Sequence, residues 1–237
     1  IAVHSCKDLP TESAELLYIG ASPARLDAHD VLLIRKDALT LHTNERFAPI
    51  GRGTRVGTSS ERRKAWLKHF RHDVEAVPLR GNVPTRIGRL RDGDYDAILL
   101  AAAGLDRLNA AEKLLGPLLA DISVFPLDMR EFVPAPAQGA LAVQCRGEDT
   151  DIRDLLAQID DEHSRICVEI ERDALANAEG GCEVAFGAHC RKLVEGFEVT
   201  CMLERNGQIH TVRHAGRDAA GLGAAAWHAL EREFSGE

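Results

Sequence analysis

The feature that most limits how this 237-residue chain can fold is a regular exchange of short apolar runs for amphipathic stretches. Residues 1–4, 16–21, 31–35, 56–58, 74–79 and 97–103 have the length and composition of strands, while 60–70 and 84–91 carry helical spacing. Strands that alternate with helices of about ten residues imply βαβ units, an α/β fold and a mainly parallel sheet. The last third differs. One long helix is predicted over 151–178 and is stopped by Gly180 and Gly181. Alternating runs at 194–203 and 209–214 then flank Arg205-Asn206-Gly207-Gln208, where Asn-Gly predicts a type I′ hairpin. A final helix over 218–233 completes a small α+β unit. The proline-rich stretch 126–136 reads as a hinge leading into a strand over 140–145.

Composition closes off other classes. Hydrophobic residues at 45% and charged residues at 28% fit a folded globular protein and exclude disorder, collagen and a long coiled coil. The longest apolar run, 97–103, falls well short of the roughly 18 residues a membrane-spanning helix needs. No basic stretch followed by an apolar core opens the chain, so a cytoplasmic setting is expected. Six cysteines without a CxxC pair suit neither a disulfide scaffold nor a zinc ribbon and read mostly as buried thiols. Cys182, His189 and Cys190 match no usual zinc spacing, so no metal is expected.

Charge is unevenly placed. The net charge is −8, yet residues 52–91 hold eleven Lys and Arg against Glu61, Asp73 and Glu75, making that block +8 and the remainder −16. A cationic block in an acidic chain suits a small anionic ligand. Nucleic acid is not expected, because aromatics are few and the total charge is negative.

Within the block, Thr58 and Glu61 have capping-box spacing, so a helix is expected to start there with Ser60, Arg62 and Arg63 in its first turn. Unpaired N–H groups, the helix dipole and arginine forks together make an anion site. Arg80-Gly81-Asn82 ends a second strand and opens a second helix, with Arg86 one turn in. Two such turns belong at the carboxyl edge of a sheet, where α/β folds hold ligands. His4-Ser5-Cys6-Lys7-Asp8 follows an apolar strand and reads equally as a ligand-facing strand end or as a Lys–Asp salt bridge. Cys182 lies in a loop after a helix end, where a thiol is accessible.

Together, VHSCKDLPTE (3–12), VGTSSERR (56–63), LRGNVPTRIGRLRDGDYDAILLAAAGLDRL (79–108), PAQGALAVQCR (136–146) and EGGCEVAFGAH (179–189) resemble the porphobilinogen deaminase family, in the family's order and across nearly the whole chain. The resemblance implies a transferase that condenses four porphobilinogen molecules head to tail into 1-hydroxymethylbilane, a linear tetrapyrrole, with loss of ammonia. It implies a dipyrromethane cofactor on a thioether at Cys182, and Asp8 as the catalytic carboxylate that stabilises the cation formed as ammonia leaves. It further implies Ser5, Lys7, Asp8, Thr58, Ser60, Arg62, Arg63, Arg80 and Gly81 as cofactor ligands, and Arg80, Arg86 and Gln138 as substrate ligands.

The implied architecture is two α/β domains like periplasmic binding proteins plus a small C-terminal α+β domain. Domain 1 would be a remnant, 1–27 with 139–158; domain 2 would be 28–138, and domain 3 would be 159–237. The chain opens on Ile1 inside a strand-like run, so it reads as starting partway through a larger protein whose complete form is expected to be a monomer. Departures from the family pattern are Cys6, Glu61, which adds negative charge among the ligand groups, and Ala185. A non-catalytic or truncated relative that binds tetrapyrroles or polycarboxylates is the competing reading.

Overall fold

The computed structural model describes residues 1–11, 15–40, 48–112, 115–178 and 185–235. Strand β1 (Ala2–Ser5) runs into a 3-10 turn over Cys6–Asp8, and β2 (Leu17–Ala21) and β3 (Asp30–Arg35) follow. Next come β4 (Arg55–Gly57), α1 (Glu61–Phe70), β5 (Glu75–Val77), α2 (Val83–Arg91) and β6 (Ala97–Ala101). The middle of the chain continues with α3 (Ala102–Glu112), α4 (Leu115–Leu118), β7 (Ile122–Pro126), β8 (Leu141–Arg146) and α5 (Thr150–Ala157). The last elements are α6 (Glu162–Ala178), β9 (Phe186–Lys192), β10 (Phe197–Arg205), β11 (Gln208–Gly216) and α7 (Leu222–Ser235). The fold is mixed α/β. It forms two compact units: Ile1–Ala28 with Val133–Arg205 and His210–Glu237, and His29–Phe132 with Asn206–Ile209.

The unit around His29–Phe132 holds a five-stranded sheet in the order β5-β4-β6-β3-β7. β4 is parallel to β5 and to β6, whereas β3 is antiparallel to both β6 and β7. The sheet is therefore mixed, which corrects the expectation of a mainly parallel one. The parallel pairs occur where α1 and α2 carry the chain back across the sheet, as parallel pairing requires. β3 has no such crossover helix among the described residues and enters between β6 and β7 in the opposite sense. Its register sets Asp30 opposite Ala101, at the end of β6. The first residue of β3 thus lies at the edge where the parallel strands end and their helices begin. Leu32, Leu33 and Ile34 are fully buried between helix-covered faces, which is why this strand reads as a continuous apolar run. α1 turns Trp66 and Leu67 inward, and α2 turns Ile87 and Leu90 inward, at about 1.5–3 kcal/mol for each such large side chain.

The other unit has two antiparallel sheets, β1-β8-β2 and β11-β10-β9. α5 packs Leu156 against Gly20, where a Cβ would stand 2.5 Å from Leu156 Cδ1. α6 and α7 cover the second sheet around Ile170, Ala174, Val199, Cys201, Ala226 and Leu230. Asn206 and Gly207, both at positive φ (55° and 80°), form the turn between β10 and β11 as the Asn-Gly pair predicts.

The single helix expected over 151–178 is two helices. Asp161 Oδ1 accepts from the Ser164 amide at 2.8 Å and caps α6, while Asp160 Oδ1 accepts from the Ser22 amide at 2.8 Å. Two adjacent carboxylates that serve as amide acceptors outside a helix end α5 and restart the chain as α6. The run 97–103 likewise ends as a strand at Ala101 and continues as α3. No helix among the described residues is long and apolar enough to cross a membrane.

Candidate functional site

The cationic helix starts lie in the unit around the five-stranded sheet. Ser60, not Thr58, caps α1: its hydroxyl accepts from the Arg63 amide at 3.4 Å. Thr58 is buried, its Oγ1 accepts from the Ser60 amide at 3.2 Å, and its own amide donates to Val77. The capping position is thus two residues later than Thr58–Glu61 spacing suggests, because Thr58 is held by β5 and shapes the turn instead. Ser59 clips the same turn to Leu79, donating to its carbonyl and accepting from its amide, both at 3.0 Å. Glu61 turns outward to Lys64 at 2.7 Å, so its added charge is taken up on the helix surface.

Arg62 and Arg63 are buried and converge on Asp30, which is fully buried. Arg62 Nη2 donates to Oδ2 at 2.7 Å, while Arg63 donates to Oδ1 through Nε at 3.0 Å and Nη2 at 2.6 Å. Arg63 Nη1 also holds the Leu99 carbonyl, and the Arg62 guanidinium lies 5.5 Å over the Phe132 ring. Burial would raise the Asp30 carboxyl, but the two guanidiniums outweigh it and bring the pKa down to about 2. Burial lowers the Arg62 guanidinium, with Asp30 opposing. Asp30 was not legible as a site residue. Its signal was an acid placed directly before an apolar run.

At the second helix start, Gly81 adopts φ +116°, where a Cβ would stand 2.9 Å from Thr85 Cγ2, so only glycine suits this turn. Asn82 caps α2 by accepting from the Thr85 amide at 3.0 Å. Arg86 Nε donates to the Gly81 carbonyl at 2.6 Å, and Arg80 is exposed. Thr58, Ser60, Arg62, Arg63, Arg80, Gly81 and Arg86 all belong to this unit.

Ser5, Lys7, Asp8 and Gln138 belong to the other unit. Ser5 ends β1 opposite Leu141, and the Cys6 amide donates to Ala140 at 3.1 Å, which turns the chain into Cys6–Asp8. Cys6 packs among Ala137, Ala140, Ala142 and Val168, and burial pushes its thiol up. Lys7 Nζ donates to Gln138 Oε1 at 3.2 Å. Gln138 is fully buried, and its Nε2 donates to the Ala28 carbonyl at 2.7 Å. Asp8 is exposed and makes no side-chain hydrogen bond or ion pair with the described residues, so the Lys7–Asp8 salt bridge, one of the two readings of this strand end, does not form. Cys182 lies outside the described residues. Cys6, Cys145, Cys167, Cys190 and Cys201 are free and buried. Among the described residues no group of three or more His, Cys, Asp or Glu could hold a metal ion.

A buried ion pair in the same unit escaped sequence reading. Arg25 meets Glu171 through Nη1 at 2.6 Å and Nη2 at 3.1 Å, and its Nε holds the Gln138 carbonyl at 2.8 Å. Glu171 also accepts from the amides of Ala137 (2.6 Å) and Cys190 (2.7 Å). The signal was positional: Glu171 follows Cys167 by four residues on the buried stripe of α6.

These features define an α/β protein with arginine-rich helix starts in one unit and a strand end that carries Lys7 and Asp8 in the other. The family model described as "Porphobilinogen deaminase, dipyromethane cofactor binding domain" matches residues 1–154. Proteins named porphobilinogen deaminase are similar to the chain: one from Streptococcus sanguinis is 39% identical over 94% of this chain and 69% of its own length. One from Syntrophobacter fumaroxidans is 41% identical over 83% of this chain and 58% of its own, and one from Brevibacillus brevis is 42% identical over 84% and 59%. A solved Salmonella typhimurium periplasmic binding protein is similar at TM-score 0.34 and 10% identity, covering 62% of this chain and 58% of that one. The chain belongs to the porphobilinogen deaminase family. It spans just under three fifths of the length of the Syntrophobacter and Brevibacillus relatives.

Proposed function

We propose that this chain is the major part of a transferase that condenses four porphobilinogen molecules into 1-hydroxymethylbilane with release of ammonia. The observation that carries the reading is the family match over residues 1–154, which takes in both arginine-rich helix starts and the Lys7–Asp8 strand end. Porphobilinogen carries acetate and propionate groups, and arginine forks suit carboxylates. The family implies a dipyrromethane group, which Thr58, Ser60, Arg62, Arg63, Arg80, Gly81, Ser5, Lys7 and Asp8 would hold, with Cys182 as its thioether anchor; the exposed Arg80 beside the turn at Gly81 suits the carboxylates of such an anion. When bound, that group supplies the pyrrole terminus on which the product chain is extended.

The chain's own residues do the rest. Arg80, Arg86 and Gln138 bind and orient the substrate carboxylates, Gln138 acting through its hold on Lys7. Asp8, an exposed carboxylate on a pinned turn, stabilises the cation formed as ammonia departs and assists proton transfer during bond formation. The organisation into a domain 1 remnant (1–27, 139–158), domain 2 (28–138) and domain 3 (159–237) is part of this reading, as is a cytoplasmic monomer without nucleic-acid partners. Turnover of porphobilinogen by the complete natural protein, with an intact mass that includes two linked pyrrole units on Cys182, supports it. A folded complete protein with neither overturns it.

A second reading is a relative that binds tetrapyrroles or polycarboxylates without turnover. It is favoured by the engagement of Arg62 and Arg63 with an internal carboxylate. It predicts salt-sensitive binding of a linear tetrapyrrole to a protein whose Cys182 stays unmodified, and calorimetry without a binding signal rejects it.

A further inference from the structure

Arg172 follows the buried Glu171 in α6, yet its guanidinium is aimed at main-chain carbonyls. Nη1 donates to the carbonyls of Cys6 (3.4 Å) and Leu9 (3.2 Å), and Nη2 donates to those of Pro10 and Thr11 (3.4 Å). These four carbonyls flank Asp8 on both sides. Asp8 has no side-chain hydrogen bond or ion pair of its own with the described residues, so the place from which its carboxylate projects is set by the backbone that Arg172 holds. The Cys6–Leu9 turn bond at 3.2 Å shares the Cys6 carbonyl with Arg172.

Only a planar fork with several fixed donors can bridge carbonyls spread over six residues; a lysine ammonium is a compact point charge on a flexible stem. The helix that carries Arg172 runs on to Ala178, four positions before Cys182. One rigid element thus leads from the turn bearing Asp8 to the segment entering the proposed anchor.

We infer that Arg172 is a positioning residue for Asp8, fixing the Cys6–Thr11 segment so that the carboxylate meets its substrate in one orientation. This rests on the role proposed for Asp8. The test uses the complete natural protein carrying Arg172→Lys or Arg172→Met. Both are expected to lower kcat by about tenfold to a hundredfold, the scale of an ångström-sized misplacement. KM is expected to stay within about threefold, because substrate carboxylates are bound elsewhere. The mass of the covalent group is retained, and amide hydrogen exchange at residues 6–11 speeds up while that of α6 does not.

A folded Lys variant with wild-type kcat overturns the assignment, as does a loss of kcat that tracks loss of the covalent group. If the Met variant does not fold, the Lys variant carries the test alone. If the wild-type protein itself shows no turnover, the parent reading fails, and exchange at 6–11 decides on Arg172: unchanged exchange overturns its hold on the segment, and faster exchange upholds it.

Discussion

Arg63 grips Asp30 through two nitrogens on one carboxylate oxygen, and Arg62 takes the other oxygen, so one buried acid orients both arginines at the start of α1. Asp30→Asn would leave two guanidiniums buried around a neutral amide. Breaking such a pair from one side destabilises by about 3–5 kcal/mol, so urea unfolding should show a loss of that size. A loss below about 1 kcal/mol would mean the arginines find other partners.

The same carboxylate predicts an acid response. Its folded pKa, about 2, lies below the ordinary 3.8, so its stabilisation is complete above about pH 4 and is lost as pH falls through 2. The displacement corresponds to about 2 kcal/mol. Unfolding free energies measured at about pH 5 and about pH 2 should fall by that much more in the wild type than in Asp30→Asn. Equal slopes would exclude Asp30 as the source.

Much of this was legible in the sequence where local chemistry decides it. The Asn206-Gly207 hairpin, the strand-to-helix turns at 57–61 and 79–83 and the burial of five cysteines depend on short-range rules. Long-range pairing does not leave such a trace. Asp30 reaches Arg63 only because β3 runs against β6, and nothing in residues 30–35 states that direction. The break at 158–161 depends on Ser22, well over a hundred residues earlier in the chain, as a partner for Asp160. The hold of Gln138 on Lys7 and on Ala28 is likewise long-range and leaves no local trace.

Glu171→Gln tests the second buried pair. Among the described residues, every hydrogen-bond partner of the Glu171 carboxylate is a donor: two Arg25 nitrogens and the amides of Ala137 and Cys190. A glutamine NH2 would face donors at one oxygen site and leave Arg25 uncompensated, for a loss of about 3–5 kcal/mol. Ala137 sits at φ 60°, a conformation that this contact helps to maintain, so the loss should come with faster amide exchange around Gln138. A variant of near wild-type stability would contradict this account.

Asp8→Asn separates chemistry from folding. The side chain is exposed and touches none of the described residues through a polar contact, and the substitution removes charge with little change of volume. Stability should therefore stay within about 0.5 kcal/mol of wild type, as for other surface changes away from special features. Turnover of porphobilinogen by the complete protein should drop by at least about a hundredfold, because the proposed role lies in the negative charge set against a developing cation. The covalent group should still load, since its anchor and its arginines are untouched. A folded, loaded Asp8→Asn protein that keeps activity within about twofold of wild type would take the catalytic role away from Asp8 and leave Arg172 pinning a turn with no part in the chemistry.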